Sequence, residues 1–407
     1  MRKIIIVGAG QAGLQLGNGL VASGYDVTIV SNRTPEQIRD GRVMSSQCMF
    51  GGALAREHAL GLNFWEAECP PVEGIAFTVP DGSGGKAFSW ASRLDLPAQS
   101  VDQRVKMPRW IEEFERRGGK FVLTDATVDH LEDYTREADL VIVAAGKGDI
   151  AGLFARDDAR SPYGAPQRAL ALTYVNGLEP RPDHSAVSFN LIPGVGEYFV
   201  FPALTTSGPC EIMVFEGVPG GPMDCWGDVR TPAEHLATSK SILETFLPWE
   251  AARATDVSLT DDNGILAGRF APTVRKPVGV LPSGAVMLGL ADVVVVNDPI
   301  TGQGSNNASK CAASYLSSIL EHGDRPFDAA FMENTFERYW DYAQYVTTWT
   351  NALLAPPPEH VLQLLGTASG NPRIARRFAN GFDDPRDFFH WFMDPAAASD
   401  YLAAVTA

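Results

Sequence analysis

The residues best suited to chemistry stand near the start of the chain, where glycines recur at short intervals. Gly8, Gly10 and Gly13 form the pattern G-x-G-x-x-G, whose other members are Ala9, Gln11 and Ala12. In such a turn the first glycine permits a tight bend, the second lets the backbone approach a pyrophosphate, and the third allows a helix to pack closely on a strand. The N-terminus of the following helix attracts the phosphate charge. The pattern predicts a dinucleotide site; the alternative is an ordinary glycine-rich turn.

The position that would bind a ribose carries no acidic residue. Nicotinamide-binding folds place an aspartate or glutamate about 20 residues after the glycines, at the end of the second strand. This chain has Ser31, Asn32 and Arg33 there. Ser31 or Asn32 can hydrogen-bond a ribose, and Arg33 can contact the adenosine half of a cofactor. The departure weakens the case for a nicotinamide cofactor more than the case for a flavin.

A second glycine-rich turn lies far down the chain. A predicted strand ends at Gly289–Asp292, and the turn and helix start that follow contain Pro299, Gly302, Gln303, Gly304 and Asn306. An aspartate after a strand, then a proline and a glycine-rich helix start, resembles the second flavin motif of the para-hydroxybenzoate-hydroxylase-like fold. The resemblance implies that Asp292 holds the ribityl chain. It also implies that the helix N-terminus faces the pyrimidine end of the isoalloxazine, where its partial positive charge would stabilise the reduced ring.

Together the motifs resemble the styrene and indole monooxygenase family over nearly the whole chain, to about residue 350. Further family-like stretches are Val101–Arg104, Asp139–Lys147, Ser161-Pro162 and Pro166–Leu170. The resemblance implies an epoxidase that uses O2 and a small aromatic substrate. It also implies reduced FAD from a separate, transiently bound NAD(P)H-dependent flavin reductase. No second G-x-G-x-x-G is present to bind NAD(P)H.

The same resemblance extends the predicted cofactor contacts to Arg42, Arg104, Val128, Ala145 and Gly146. Arg42 would contact the flavin phosphate or ring, although an exposed structural arginine is the alternative. No catalytic side chain is predicted, because oxygen transfer from a flavin needs no protein nucleophile. The protein's task is to exclude water from the reaction.

Six positions match the indole branch of this family: Ser45, Gln47, Met49, Val72, Ile75 and Ala98. Styrene-type members tend to carry Asn, Val and His at the first three. The resemblance implies epoxidation of indole at C2=C3, leading to indoxyl and indigo, with styrene also accepted. With Met44 and Pro299 these residues form the predicted substrate pocket.

In an extended segment Ser45, Gln47 and Met49 would point to one side, where the polar pair could hydrogen-bond the indole N–H. For Met49, Val72 and Ile75, a role as plain core residues is the alternative.

Two other functions remain open. The first is a single-component aromatic hydroxylase that binds NAD(P)H itself, and the second is a non-catalytic flavin-binding protein. A metal site is not expected, because the seven histidines never fall at H-x-H or H-E-x-x-H spacing. No G-x-S-x-G nucleophile motif occurs either.

The elements that must position these residues indicate an α/β fold. Lys3–Val7, a helix and Asp26–Val30 form a βαβ unit, and Asp139–Lys147 and Ala285–Asp292 predict further strands. Short alternating apolar runs at about 165–270 predict an antiparallel sheet. We therefore predict a Rossmann-like FAD-binding domain of para-hydroxybenzoate-hydroxylase type (1–65, 99–160 and 271–325). An antiparallel β-sheet substrate domain (66–98 and 161–270) interrupts it, and a helical C-terminal region (326–407) follows.

Composition restricts the partners and the compartment. The formal net charge of −16 opposes binding to nucleic acid and to anionic membranes. The five scattered cysteines favour a reducing compartment over a disulfide framework. No signal peptide is expected, and no apolar run reaches the roughly 20 residues of a membrane helix. These features predict a cytoplasmic protein.

Overall fold

The computed structural model describes residues 2–145 and 150–406. Its strands are β1 (Lys3–Val7), β2 (Asp26–Ser31), β3 (Pro71–Pro80), β4 (Lys86–Gln99), β5 (Lys120–Leu123), β6 (Leu140–Val143), β7 (Ala169–Asn176), β8 (Ala186–Ile192), β9 (Gly196–Thr205), β10 (Gly208–Gly217), β11 (Ser258–Leu259), β12 (Ile265–Gly268), β13 (Thr273–Val274), β14 (Val278–Val280), β15 (Val286–Gly289) and β16 (Val295–Val296). Its α-helices are α1 (Gln11–Ala22), α2 (Pro35–Arg39), α3 (Gly51–Ala59), α4 (Gln103–Arg116), α5 (Val128–Glu137), α6 (Pro232–Phe246), α7 (Pro248–Arg253), α8 (Gly304–His322), α9 (Ala329–Leu353), α10 (Glu359–Thr367), α11 (Pro372–Gly381) and α12 (Pro395–Thr406).

The first sheet is the predicted Rossmann-like sheet, with strand order β14-β15-β6-β1-β2-β5. All its neighbouring pairs are parallel except β14 with β15. Ile4–Val7 is fully buried because parallel strands are covered by helices on both faces, which explains the unbroken β-branched run. The βαβ unit formed by β1, α1 and β2 is confirmed. The carboxyl ends of the parallel strands meet at one edge of the sheet.

The second sheet has the order β11-β7-β10-β9-β8-β3-β4, with β12 beside β7. It confirms the predicted separate antiparallel sheet with one exception, because β3 pairs with β8 in parallel. The chain leaves this sheet after β4, builds part of the first sheet, and returns at β7. No hairpin therefore joins the two parts, and a long crossover permits the parallel pairing.

Both faces of the second sheet are covered. On one face Val200 and Met213 pack with residues of α6, such as Leu243. On the other face Phe199 and Val214 belong to a cluster that includes side chains of α9–α12. Because side chains alternate along a strand, β9 and β10 each contribute apolar residues to both layers.

The C-terminal region is helical, as predicted, and the three prolines at 356–358 separate α9 from α10. Its aromatic residues pack on the second sheet; Phe378, for example, lies edge-on to Phe77 and Trp90. No helix within residues 2–145 and 150–406 has the combination of length and apolar character needed to span a membrane.

Candidate active site

The first glycine turn has the geometry of a dinucleotide cradle. Gly8 has a φ of +122°, which favours glycine, and a Cβ at Gly13 would overlap the Gly8 carbonyl oxygen. A Cβ at Gly10, by contrast, would meet nothing within 4 Å. Gly10 precedes the first turn of α1, whose N-terminus has no side-chain cap. Unfilled space beside this helix N-terminus fits the pyrophosphate of FAD.

The second glycine turn faces open space as well. Gly302 adopts a left-handed φ of +63°, and a Cβ on Gly302 or on Gly304 would meet nothing within 4 Å. Gly304 begins α8, so a second helix N-terminus borders this space. Asp292 is exposed just beyond β15 and follows Ala291, whose φ of 54° is uncommon for a residue with a Cβ. These residues fit a flavin.

The parallel strands bring most of the other predicted cofactor residues to the edge occupied by Gly8. Ser31 ends β2, and Asn32 and Arg33 follow it; Ala145 follows β6, and Val128 begins α5 after β5. Gly146 lies outside the described residues. Ligands of open α/β sheets bind beyond the carboxyl ends of the strands, so this is the expected edge.

Among the side chains predicted to contact the adenosine half of the cofactor, some bond to the protein and others are exposed. The Ser31 Oγ accepts the backbone N–H of Arg33 at 3.2 Å and donates to its carbonyl oxygen. The guanidinium of Arg33 approaches the sulfur of Met44 at 2.9 Å. Asn32 and Arg42 are exposed.

Arg104 lies in a buried ionic network. Its guanidinium donates to Asp102 at 2.8 Å, to both oxygens of Asp261 at 2.9 and 3.0 Å, and to Thr205 at 3.0 Å. Arg104 is 2% exposed. Arg104, although predicted to contact the cofactor, is therefore already paired with carboxylates of the protein.

Three more predicted cofactor side chains also bond to the protein. Gln11 donates to Glu57 at 2.9 Å, and Glu57 forms a buried ion pair with Lys106. Gln303 donates to the carbonyl oxygen of Phe382 at 2.8 Å. The Asn306 amide accepts from the Phe50 N–H and donates to the carbonyl oxygens of Cys48 and Gly302.

Asn306 therefore ties the segment around residues 48–50 to the second glycine turn. Gln303 likewise attaches the C-terminal region to that turn.

A cavity adjoins the second glycine turn. Its lining is mainly apolar, includes five phenylalanines, and consists of Ser46, Cys48, Phe50, Val187, Phe189, Phe199, Phe201, Val214, Glu216, Pro299, Ile300, Thr301, Gly302 and Phe382. Strands β8, β9 and β10 supply one wall, the turn supplies another, and Phe382 after α11 contributes from the C-terminal region. A partly open, mainly apolar space next to the second glycine turn is the kind of site that takes a flat aromatic molecule.

The cavity contains Pro299 but not the other predicted pocket residues. Ser46, Cys48 and Phe50 line it, so the alternation of the extended segment directs Ser45, Gln47 and Met49 elsewhere.

Ser45 accepts from Gln103 at 2.9 Å and donates to Gln47 at 3.0 Å, and Gln47 donates to Tyr174 at 3.3 Å. Met49 is fully buried and exchanges backbone hydrogen bonds with Gln99. Val72, Ile75 and Ala98 are buried core residues of the second sheet, and Met44 packs at the edge of the first.

Glu216 is a cavity residue that the sequence analysis did not select. It is fully buried, no donor of the described residues reaches either of its carboxylate oxygens, and its one side-chain contact of hydrogen-bond type is with the carboxyl group of Asp298. It shares a strand face with Ile212 and Val214, both in the apolar cluster. That alternation was the available signal, because an acid in register with apolar residues lies on a buried face.

The surroundings of Glu216 favour its protonated form. Glu197 is its direct cross-strand partner, and Glu197 forms a buried bidentate ion pair with Arg168 at 2.7 and 2.9 Å. Burial first, and then the carboxylate of Asp298, raise the pKa of Glu216 well above its usual value. Burial also raises the pKa of Asp298. One cation among three buried carboxyl groups favours the protonated form of Glu216.

The proton on Glu216 predicts a pH-dependent effect on stability. Between the unfolded pKa near 4.5 and the raised folded pKa, the folded state binds one proton more than the unfolded chain. The free energy of unfolding therefore falls as pH rises through this window. Glu216→Gln removes that loss. We expect the free energy of unfolding of Glu216→Gln, measured by urea titration, to rise relative to that of wild type from pH 5 to pH 8, by up to about 1.4 kcal/mol per pH unit.

The matched control is Glu244→Gln, since Glu244 is exposed on α6. It should leave the pH dependence of unfolding unchanged. Parallel pH profiles for wild type and Glu216→Gln would show that Glu216 is ionised in the folded protein.

Solved structures with this architecture are flavoenzymes. The flavin-dependent brominase Bmp2 superimposes with a TM-score of 0.67 at 14% identity, covering 98% of this chain and 99% of the brominase. PqsL of Pseudomonas aeruginosa, described as a probable FAD-dependent monooxygenase, gives a TM-score of 0.62 at 14% identity. That match covers 87% of this chain and 95% of PqsL. At these identities the likeness establishes the fold.

Sequence relatives narrow the assignment. The chain is 30% identical to styrene monooxygenase StyA of Pseudomonas fluorescens over 404 residues, which are 97% of this chain and 96% of StyA. StyA of a second Pseudomonas species matches at the same identity and coverage. Residues 146–253 match the family model "Styrene monooxygenase A putative substrate binding domain".

The fold, the two glycine turns and these relatives define an FAD-dependent monooxygenase. The turns described above are where FAD fits. Within that class, the chain belongs to the styrene monooxygenase family.

Proposed function

We propose that the protein is the oxygenase of a two-component system that epoxidises indole at its C2=C3 bond and also accepts styrene. The observation that carries the proposal is the phenylalanine-lined cavity that abuts the turn at Pro299–Gly302. A cavity of this kind takes a flat aromatic ring and holds it beside the flavin. The indole-branch residues at positions 45, 47, 49, 72, 75 and 98 favour indole over styrene. The epoxide of indole would open to indoxyl, which air oxidises to indigo.

Reduced FAD supplies an electrophilic oxygen atom derived from O2. The chain's own residues bind and orient the two reactants. Gly8–Gly13 and α1 hold the pyrophosphate, while Gly302, Gly304 and α8 border the flavin ring. The phenylalanines of β8 and β9, with Phe50 and Phe382, exclude water from the cavity. Exclusion of water protects the activated oxygen from wasteful decay to hydrogen peroxide.

Delivery of reduced FAD by a separate NAD(P)H-dependent flavin reductase is part of the proposal. StyA, the relative at 30% identity, supports this mode. The sequence has one G-x-G-x-x-G motif, and the FAD pyrophosphate accounts for it. The alternative of a single-component hydroxylase needs a further nicotinamide site.

The test is product analysis with a generic flavin reductase, NADH, FAD and O2, with catalase present to remove hydrogen peroxide. We expect indigo from indole and styrene oxide from styrene, with kcat/KM higher for indole. A reaction without the protein is the control for uncatalysed oxidation.

Three other results would contradict parts of the proposal. Rapid bleaching of bound FAD by NAD(P)H alone would support a single-component hydroxylase. A higher kcat/KM for styrene would reject indole as the favoured substrate. Absence of either product under continuous supply of reduced FAD would indicate a non-catalytic flavin protein.

A further inference from the structure

Glu216 places a carboxyl group in a wall that is otherwise mostly apolar. It lies near the end of β10, and its neighbours in the lining include Val214, Phe189 and Phe199. No N–H or O–H donor of the described residues reaches either of its oxygens. A buried acceptor oxygen that receives no hydrogen bond is costly, so its presence in a cavity indicates a ligand that supplies the missing donor.

We propose that Glu216 binds the ring N–H of the substrate and thereby selects N–H heteroaromatics over hydrocarbons of the same shape. The inference rests on the proposed function, and it names the group that would distinguish indole from a hydrocarbon. It assigns substrate recognition to Glu216 in place of Ser45 and Gln47. The side chains of Ser45 and Gln47 bond to each other and to Gln103 and Tyr174.

The protonation state of Glu216 suits this role. The groups that face it are Asp298 on the flavin turn, Glu197 on β9 and Arg168 before β7. Arg168 is occupied by Glu197. A neutral Glu216 can donate its O–H to the Asp298 carboxylate and keep its carbonyl oxygen as an acceptor. An indole N–H would satisfy that acceptor, whereas a hydrocarbon would leave it buried and unpaired.

The position of Asp298 links this recognition to the flavin turn. Asp298 accepts the backbone N–H of Ile300 at 3.2 Å and immediately precedes Pro299. A substrate held by Glu216 would therefore be anchored beside the turn that borders the flavin ring. Such an anchor fixes the ring's orientation as well as its affinity.

The test compares indole with indene, a bicyclic hydrocarbon of nearly the same shape that has an oxidisable C=C bond but no N–H. Intrinsic reactivities differ between the two, so the informative quantity is how the ratio of their kcat/KM values changes on substitution. We expect Glu216→Leu to lower the indole-to-indene ratio by roughly 10- to 100-fold. Indene oxidation should be unchanged or faster. The loss for indole should lie mainly in KM.

Conservative and control variants separate hydrogen bonding from packing. Glu216→Gln keeps an acceptor oxygen and should preserve the ratio within about threefold. Glu216→Met is a second apolar variant, whose flexible chain fills similar space if the leucine variant folds poorly. Glu211→Gln is the matched control, because Glu211 lies on the same strand but outside the cavity. It should leave the ratio unchanged.

Equal changes for indole and indene in the apolar variants would overturn the role of Glu216 while leaving the indole epoxidase intact. Loss of the ratio in Glu216→Gln to the same extent as in Glu216→Leu would also overturn it. Wild-type protein that oxidises neither compound would instead reject the proposed function, on which the inference depends.

Discussion

Gly10→Val is expected to abolish FAD binding while the protein still folds. Gly10 has an extended backbone, with φ −87° and ψ −173°, which valine adopts readily. The added Cβ meets no protein atom, because nothing lies within 4 Å of that position. It would instead fill the space assigned to the pyrophosphate. Titration with reduced FAD should show affinity lower by about 100-fold or more, equivalent to roughly 3 kcal/mol.

Two other glycines provide the comparison. Gly366 lies in α10, far along the chain, and a Cβ there also meets nothing within 4 Å. Gly366→Val should therefore fold and bind FAD like wild type. Gly13→Ala should lower the thermal midpoint, because its Cβ would overlap the Gly8 carbonyl oxygen. Unchanged FAD affinity in Gly10→Val would mean that the dinucleotide does not cross this turn.

Arg104→Met is expected to cost about 3–5 kcal/mol in the free energy of unfolding. Asp102 is 1% exposed and would lose the guanidinium that compensates its charge. Thr205 and the backbone N–H of Arg104 would remain as its donors, and neither carries a charge. Urea unfolding monitored by tryptophan fluorescence measures the loss.

The matched control is Arg109→Met on the same helix, α4. Arg109 is partly exposed and pairs with Glu112 on the surface, so the loss should stay below about 1 kcal/mol. FAD affinity of the folded Arg104→Met protein provides the second readout, and we expect it to stay within about threefold of wild type. A stable Arg104→Met variant with lost FAD affinity would instead place Arg104 on the cofactor.

The cofactor half of the fold could be predicted because its signals are local. The β-branched run of β1, the glycines after it and the start of α1 lie within about twenty consecutive residues, and their roles follow from backbone sterics. The second turn was found for the same reason. Both turns face open space in the structure, as a cofactor site requires.

The substrate side depends on contacts that are distant in sequence. Residues 45–50 are extended, and strand geometry predicts two alternating sets of side chains but not which set faces the cavity. The second sheet and the C-terminal region determine that choice, since Phe199, Phe201 and Phe382 enclose the set formed by Ser46, Cys48 and Phe50. The family resemblance at Ser45, Gln47 and Met49 does not indicate in which direction their side chains point.

The buried ionic groups were the hardest to predict. Arg104 is of a residue type that can bind phosphate. Its partners Asp102 and Asp261 are more than 150 residues apart in the sequence. Sequence alone does not bring Asp261 to it. The sequence shows that Glu216 falls on the same face of a strand as Ile212 and Val214. It does not show that Arg168 and Asp298 lie near Glu216, because only the fold brings them there.

The Asn306 amide has a consequence for how substrates of different size would be oxidised. Because it bonds to Phe50, Cys48 and Gly302 at once, the cavity wall and the flavin turn are held at a fixed separation. The distance between a bound substrate and the oxidant would then be set by the protein and would not depend on which molecule enters. Regiochemistry would then follow from where a molecule's double bond lies relative to the end that enters first.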